Sequence, residues 1–116
     1  MGLDQIDGAE AVAIVEGPFD LLSMATAGVP AVALLGKDVS RRQAVKLQRA
    51  GVRTAVMAFD SDAAGAQKEA AQILREVVNV ATIGDYGAPD PGDATSEALK
   101  EAFGRRKAVY FAATMG

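Results

Sequence analysis

Four apolar runs divide the chain at regular intervals: AVAIV (11–15), AVALL (31–35), TAVMAF (54–59) and NVATI (79–83). Each is continuously apolar instead of alternating with polar residues, as expected of strands covered on both faces. Helix signals fill the gaps. Pro18 suits the opening turn of a first helix, which closes at Ala-Gly-Val-Pro with Gly28 as its C-terminal glycine and Pro30 just beyond. Ser40 with Gln43 three residues later reads as a capping box opening a second helix that stops at Gly51. A third helix is predicted after Asp62 and through QKEAAQILREVV, and a fourth over about Ala94 to Ala102, preceded by Asp93 and ended by Gly104. The last run, AVYFAA (108–113), is read as either a fifth, edge strand or a tail. The order β-α-β-α-β-α-β-α predicts a mainly parallel sheet with right-handed connections and helices on both faces.

Composition adjusts this picture by exclusion. A chain of 116 residues, 50% of them hydrophobic, is long enough for one domain with a real core. No segment approaches 18 consecutive apolar residues, and no basic stretch leads into a long apolar one at the amino terminus, so we expect a soluble, cytoplasmic protein without a membrane span. Cysteine and histidine are both absent. Disulfides, thiolate nucleophiles and zinc ribbons are thereby excluded, as are the usual general base and the usual transition-metal ligand. Carboxylates, Lys, Arg and hydroxyls remain to carry chemistry.

The placement of the acids then becomes informative. Open parallel sheets bind ligands outside the carboxyl ends of their strands. In this chain the first strand ends at Glu16, the second at Gly36-Lys37 and the third at Asp60-Ser61-Asp62, while the loop GDYGAPDPGD after the fourth holds Asp85, Asp90 and Asp93. Glu16 is an odd residue at the end of a buried strand, before Gly17 and Pro18, because glutamate is a poor N-cap and is rarely buried unpaired. Asp60 and Asp62 point to one side if the backbone stays extended between them. Two such charges at ~4 Å repel by roughly 4 kcal/mol at an effective dielectric of 20. A divalent cation relieves that repulsion, and an all-oxygen donor set suits Mg²⁺. Plainer roles exist for several of these residues. Asp62 and Asp93 each precede a helix and would also serve as N-caps, Asp20 in the first helical turn complements the helix dipole, Gly65 would permit close helix packing, and Lys37 suits a solvated loop.

In this order VEGPFD, LLGK, FDSDAAG and DPGD resemble the Toprim domain, most closely that of bacterial DnaG-type primases. The family pattern is Glu-Gly with an Asp four residues after the Glu, then Asp-x-Asp, then an Asp-Pro-containing acidic loop. Glu16, Gly17, Asp20, Asp60, Asp62, Gly65, Asp90 and Asp93 fall on those positions. The resemblance implies one Toprim domain over residues 1–116 with its core at about 10–104, a Rossmann-like α/β/α fold of three layers around a central, mainly parallel sheet. It further implies that Asp60, Asp62 and the loop aspartates hold one or two Mg²⁺ or Mn²⁺ ions for nucleotidyl or phosphoryl transfer. Glu16 is then an acid/base residue or a further ligand, and Asp20 a ligand or its support. Gly17 and Gly36 would let a phosphate approach the backbone, with Lys37 beside it.

The departures from primases bear on function. Their zinc module, basic subdomain and helicase-contacting domain have no counterpart here, which predicts a stand-alone Toprim protein or a domain excised from a longer primase. Pro89 replaces the lysine that usually precedes the acidic loop, and Tyr86 and Tyr110 lack the context of a topoisomerase nucleophile. Despite a net charge of −3, six of the twelve basic residues lie between Lys37 and Arg53. Arg42, Lys46 and Arg49 share one helical face, and Arg105-Arg106-Lys107 form a second cluster. Both are either solvated surface or a salt-sensitive contact to nucleic-acid backbone. Three functions are compatible: a metal-dependent enzyme acting on DNA or RNA in replication or repair, with nucleoside triphosphates if it is primase-like and without them if it is a nuclease; a metal- and nucleic-acid-binding module that needs partner domains or subunits; or an unrelated phosphoryl-transfer α/β domain such as a receiver. A receiver has its acidic pair at the first strand end, whereas this chain has a single Glu first and its Asp pair later, so the last function ranks lowest.

Overall fold

The computed structural model of the chain describes residues 10–33, 41–58, 64–88 and 91–110. Strands β1 (Ala11–Val15), β2 (Ala31–Ala33), β3 (Thr54–Met57), β4 (Asn79–Thr82) and β5 (Lys107–Tyr110) form one sheet in the order β2-β1-β3-β4-β5. The first four are parallel, with Ile14 opposite both Val32 and Met57, and Met57 opposite Thr82. The carboxyl ends of β1, β3 and β4 therefore lie along one edge. The run at the carboxyl end settles as an edge strand, β5, antiparallel to β4 with an irregularity between Val80 and Ala81.

Helices α1 (Pro18–Thr26), α2 (Arg41–Arg49), α3 (Ala64–Leu74) and α4 (Ser96–Gly104) cover the sheet, and a 3-10 turn, Pro91–Asp93, precedes α4. Alternation along the strands sorts them into layers. Val12 and Ile14 of β1 join Ala44 and Leu47 of α2 and Ala70 and Leu74 of α3 in one buried cluster. Ala13 and Val15, pointing the other way, join Met24 of α1 and Leu99 of α4 in a second. The result is a three-layer α/β/α fold around a five-stranded, mostly parallel sheet.

Helix ends refine the sequence reading. Gly28, at φ 77°, follows α1 and lets Val29 N–H donate to Met24 C=O at 2.9 Å, a left-handed stop that glycine takes without steric cost. The opening of α2 at Ser40 falls outside the described residues. Helix α3 ends at Leu74, earlier than its polar-apolar pattern suggests, because Leu74 C=O accepts from both Val77 and Val78 N–H and turns the chain into β4. Helix α4 starts at Ser96, later than predicted. Its cap is Thr95, whose Oγ1 accepts from Ala98 N–H at 3.1 Å, so Asp93 is not the N-cap of this helix. Among the described residues no helix is long and apolar enough to cross a membrane.

Candidate functional site

The connections place a reversal of strand order between β1 and β3. From β1 the chain moves outward to β2 by way of α1 on one face, and from β3 it moves the opposite way to β4 by way of α3 on the other face. Helices leave this point on opposite faces, and α/β sheets bind ligands at strand-order reversals of this kind. Glu16 directly follows β1 and is half-buried. Gly17 caps α1 in an extended conformation (φ −126°, ψ 166°) that any residue adopts, so its glycine is not required by the backbone. A Cβ added there would stand 3.8 Å from Asp20 Oδ2. That distance is ordinary van der Waals contact, so a small side chain at position 17 would sit against the carboxylate without displacing it.

Asp20 is the one buried charged residue among those described, 8% exposed. Its Oδ1 accepts from Gly92 N–H at 3.0 Å, across 72 positions of sequence. This bond ties the first turn of α1 to the 3-10 turn that follows β4, and Pro91 is buried against the same region. Sequence reasoning anticipated an acidic loop near Glu16 but not this link, because a backbone N–H leaves no trace in residue type.

The rest of the loop after β4 is braced locally. Gly84 N–H donates to Ala102 C=O at 3.0 Å, and a Cβ at Gly84 would come within 3.1 Å of that carbonyl oxygen, so a larger residue there requires the two segments to shift apart by a few tenths of an ångström. Asp85 Oδ1 accepts from Gly87 N–H at 2.8 Å, an Asx turn, and Arg105 Nη2 donates to the Asp85 carbonyl at 2.9 Å. Asp85, one of three loop aspartates in the sequence, is thereby engaged in shaping the loop. Asp93 lies exposed at the end of the 3-10 turn.

Glu16, Gly17, Asp20 and Asp93 are consequently the predicted site residues found at this corner. Among the described residues no three carboxylates gather closely enough to hold a metal ion, so these residues do not form a metal centre by themselves. Gly36, Lys37, Asp60, Asp62 and Asp90 lie outside the described residues, and Gly65 lies in the first turn of α3. Arg42, Lys46 and Arg49 are exposed along one stripe of α2, opposite the buried Ala44 and Leu47. That stripe is on the other face of the sheet from α1.

The donor set fits a hard divalent cation in its chemistry: with neither histidine nor cysteine in the chain, every available side-chain ligand is an oxygen.

Comparison with known proteins agrees with this architecture. The sequence pattern of the Toprim-like family matches residues 13–102, from within β1 into α4. No curated protein sequence matches the chain. Among solved structures, the zinc-binding and RNA polymerase domains of Aquifex aeolicus primase superpose with a TM-score of 0.77 at 23% identity, over 93% of this chain and 28% of that one. The RNA polymerase domain of Mycobacterium tuberculosis primase DnaG gives 0.68 at 28% identity, over 91% and 39%. A DNA primase domain from Pseudomonas aeruginosa gives 0.71 at 19% identity, over 92% and 37%. The Aquifex and Pseudomonas matches bear on the fold alone. The M. tuberculosis domain is also known in complex with a double-stranded DNA oligomer bearing a 6-nucleotide overhang. The chain spans between 28% and 39% of these three structures. With its parallel sheet, its carboxylates beside the strand-order reversal and a family match over most of its length, the chain belongs to the Toprim-like family.

Proposed function

We propose that residues 1–116 form a single Toprim domain of nucleic-acid metabolism that carries out metal-dependent nucleotidyl or phosphoryl transfer of primase type on DNA or RNA. The observation that carries this reading is the Asp20 to Gly92 hydrogen bond, which supports bringing the Glu-Gly corner and the Asp-Pro-Gly-Asp loop to one edge of the sheet. In this reading Asp60, Asp62, Asp90 and Asp93 hold one or two Mg²⁺ or Mn²⁺ ions. Such ions supply charge neutralisation for a phosphodiester or triphosphate during transfer. Glu16 contributes a carboxylate at the end of β1, as a further ligand or as the group that moves a proton. Asp20 holds the loop in register with α1. Gly17, Gly36, Lys37 and Gly65 line the approach of phosphate to backbone, and Arg42, Lys46 and Arg49 contact the nucleic-acid backbone farther out.

A second reading is favoured by one observation: the chain spans well under half of each primase structure it resembles. A metal- and nucleic-acid-binding module that acts only with partner domains would have that relation to them.

End-labelled single-stranded DNA incubated with the protein and Mg²⁺ or Mn²⁺, with and without nucleoside triphosphates, decides between them. Longer products mean synthesis and shorter ones cleavage. Asp60→Asn is expected to abolish either, at least about a hundredfold, if the ligand set is as proposed. Product formed equally by the variant would overturn the site, and no product from the parent chain would favour the module.

A further inference from the structure

The basic cluster Arg105-Arg106-Lys107 is not a uniform patch. Arg106 stays on its own helix: its Nη1 donates to Phe103 C=O at 3.0 Å, and its guanidinium lies 4.9 Å from the centre of the Phe103 ring. Arg105, the C-cap of α4, reaches away from the helix. Its Nη2 donates to the Asp85 carbonyl at 2.9 Å, across 20 positions of sequence, while its Nη1 lies 3.5 Å from Glu101 Oε2. The planar guanidinium thus joins the end of α4 to the loop that carries the acids, a bridge its fixed fork of donors permits.

That loop is held from both sides. At its near end stand the Gly84 to Ala102 and Arg105 to Asp85 bonds, and at its far end Asp20 holds the Gly92 N–H. The stretch between is stiff. Asp85 and Gly87 form an Asx turn with Gly87 at φ 73°, and the rings of Pro89 and Pro91 fix φ at those positions. In a stiff stretch the anchors at the two ends set where the residues between them stand. Asp90 falls between these anchors, and Asp93 is one position beyond the far one.

We propose that Arg105 is a positioning residue for this loop, holding its near end so that Asp90 and Asp93 are presented together to a divalent cation. The inference rests on the proposed function and adds to it a residue outside the acidic set. Stability of the fold accounts for Arg105 poorly. Its side chain is 58% exposed and that of Glu101 72%, so solvent screens the ion pair and leaves it little weight. The bond to the Asp85 carbonyl instead fixes a segment, residues 84–88, that belongs to no helix or strand.

The test is calorimetric titration of Mn²⁺ into the full chain and into Arg105→Met and Glu101→Gln, with amide hydrogen exchange of the metal-free proteins read by NMR. Arg105→Met keeps the aliphatic stem and removes the donors, and it should weaken Mn²⁺ binding about tenfold. Its metal-free Tm should stay within about 2 °C of the parent's. The Gly87 amide, held by Asp85, should exchange several-fold faster in this variant, while the Ala98 amide, held by Thr95, should exchange as in the parent. Glu101→Gln should match the parent in affinity and exchange, because the bond to the Asp85 carbonyl survives. The proposal is overturned if the parent binds Mn²⁺ and Arg105→Met binds it equally, or if Gly87 exchange is unchanged in that variant. It is also overturned if the metal-free Tm of Arg105→Met falls along with its affinity, which would make Arg105 a structural residue, or if Glu101→Gln loses as much affinity, which would assign the effect to the ion pair. A parent chain that binds no Mn²⁺ would instead reject the metal site of the proposed function, and the positioning role with it.

Discussion

The corner formed by β1 and α1 and the basic stripe of α2 both carry charge, on opposite faces of the sheet, yet they are built differently. At the corner, Asp20 is buried and bonded to a backbone group 72 residues away, so its position depends on the loop after β4 being in place. On α2, Arg42, Lys46 and Arg49 are exposed and, among the described residues, form no ion pair; their arrangement follows from the helical repeat alone. A buried charge is held by the fold and in turn holds it, whereas an exposed stripe is a surface that a partner reads and the fold hardly notices. The first kind of site suits chemistry, which needs fixed geometry, and the second suits weak, adjustable contact to a polyanion.

Three variants would break or sharpen this contrast. Asp20→Ala has the largest expected effect. It leaves the Gly92 N–H without its acceptor and should cost about 1–3 kcal/mol in urea denaturation. If the loop holds metal ligands, it should also weaken metal-induced stabilisation about 10- to 100-fold in apparent affinity. A loss of stability with metal response intact would separate the structural role of Asp20 from the proposed site. Thr95→Ala comes next. Removing the cap of α4 should lower stability by about 1 kcal/mol, and the metal response should persist, since Thr95 follows the acidic loop without belonging to it. A collapse of metal response would show that the start of α4 also fixes the loop. Replacing Arg42, Lys46 and Arg49 together by Gln should change stability least, by under about 0.5 kcal/mol per site. Its effect belongs in binding: the slope of log affinity for single-stranded nucleic acid against log salt should fall by about 2 if all three contact phosphate. An unchanged slope would mark the stripe as ordinary solvated surface.

Much of the fold was legible because its signals are local and repeated. The runs at 11–15, 54–59 and 79–83 became β1, β3 and β4 with boundaries within about two residues, since buried parallel strands need continuous apolar sequence. Gly28 announced the end of α1 for a backbone reason that no other residue meets as easily. The start of α4 is not legible in the sequence because Asp93, Thr95 and Ser96 are all competent caps. Local preference ranks aspartate above threonine, but Pro91 to Asp93 are taken up by the 3-10 turn that meets α1. By residue type Asp85 reads as a member of the acidic set, and only the positions of Gly87 and Arg105 reveal that it shapes a turn.

The sequence by itself determined the alternation of strands and helices, an oxygen-only set of ligands, and the candidate carboxylates after β1, after β3 and in the loop beyond β4. These follow from residue type and spacing, which act over a few positions. The tertiary structure decided the order β2-β1-β3-β4-β5 and with it the strand-order reversal between β1 and β3, because strand pairing joins segments through contacts that no local pattern encodes. It also decided that Asp20 meets Gly92. A buried carboxylate takes whichever donor the fold brings near, and here that donor is a backbone N–H, whose position is set by the path of the chain and not by the identity of its residue.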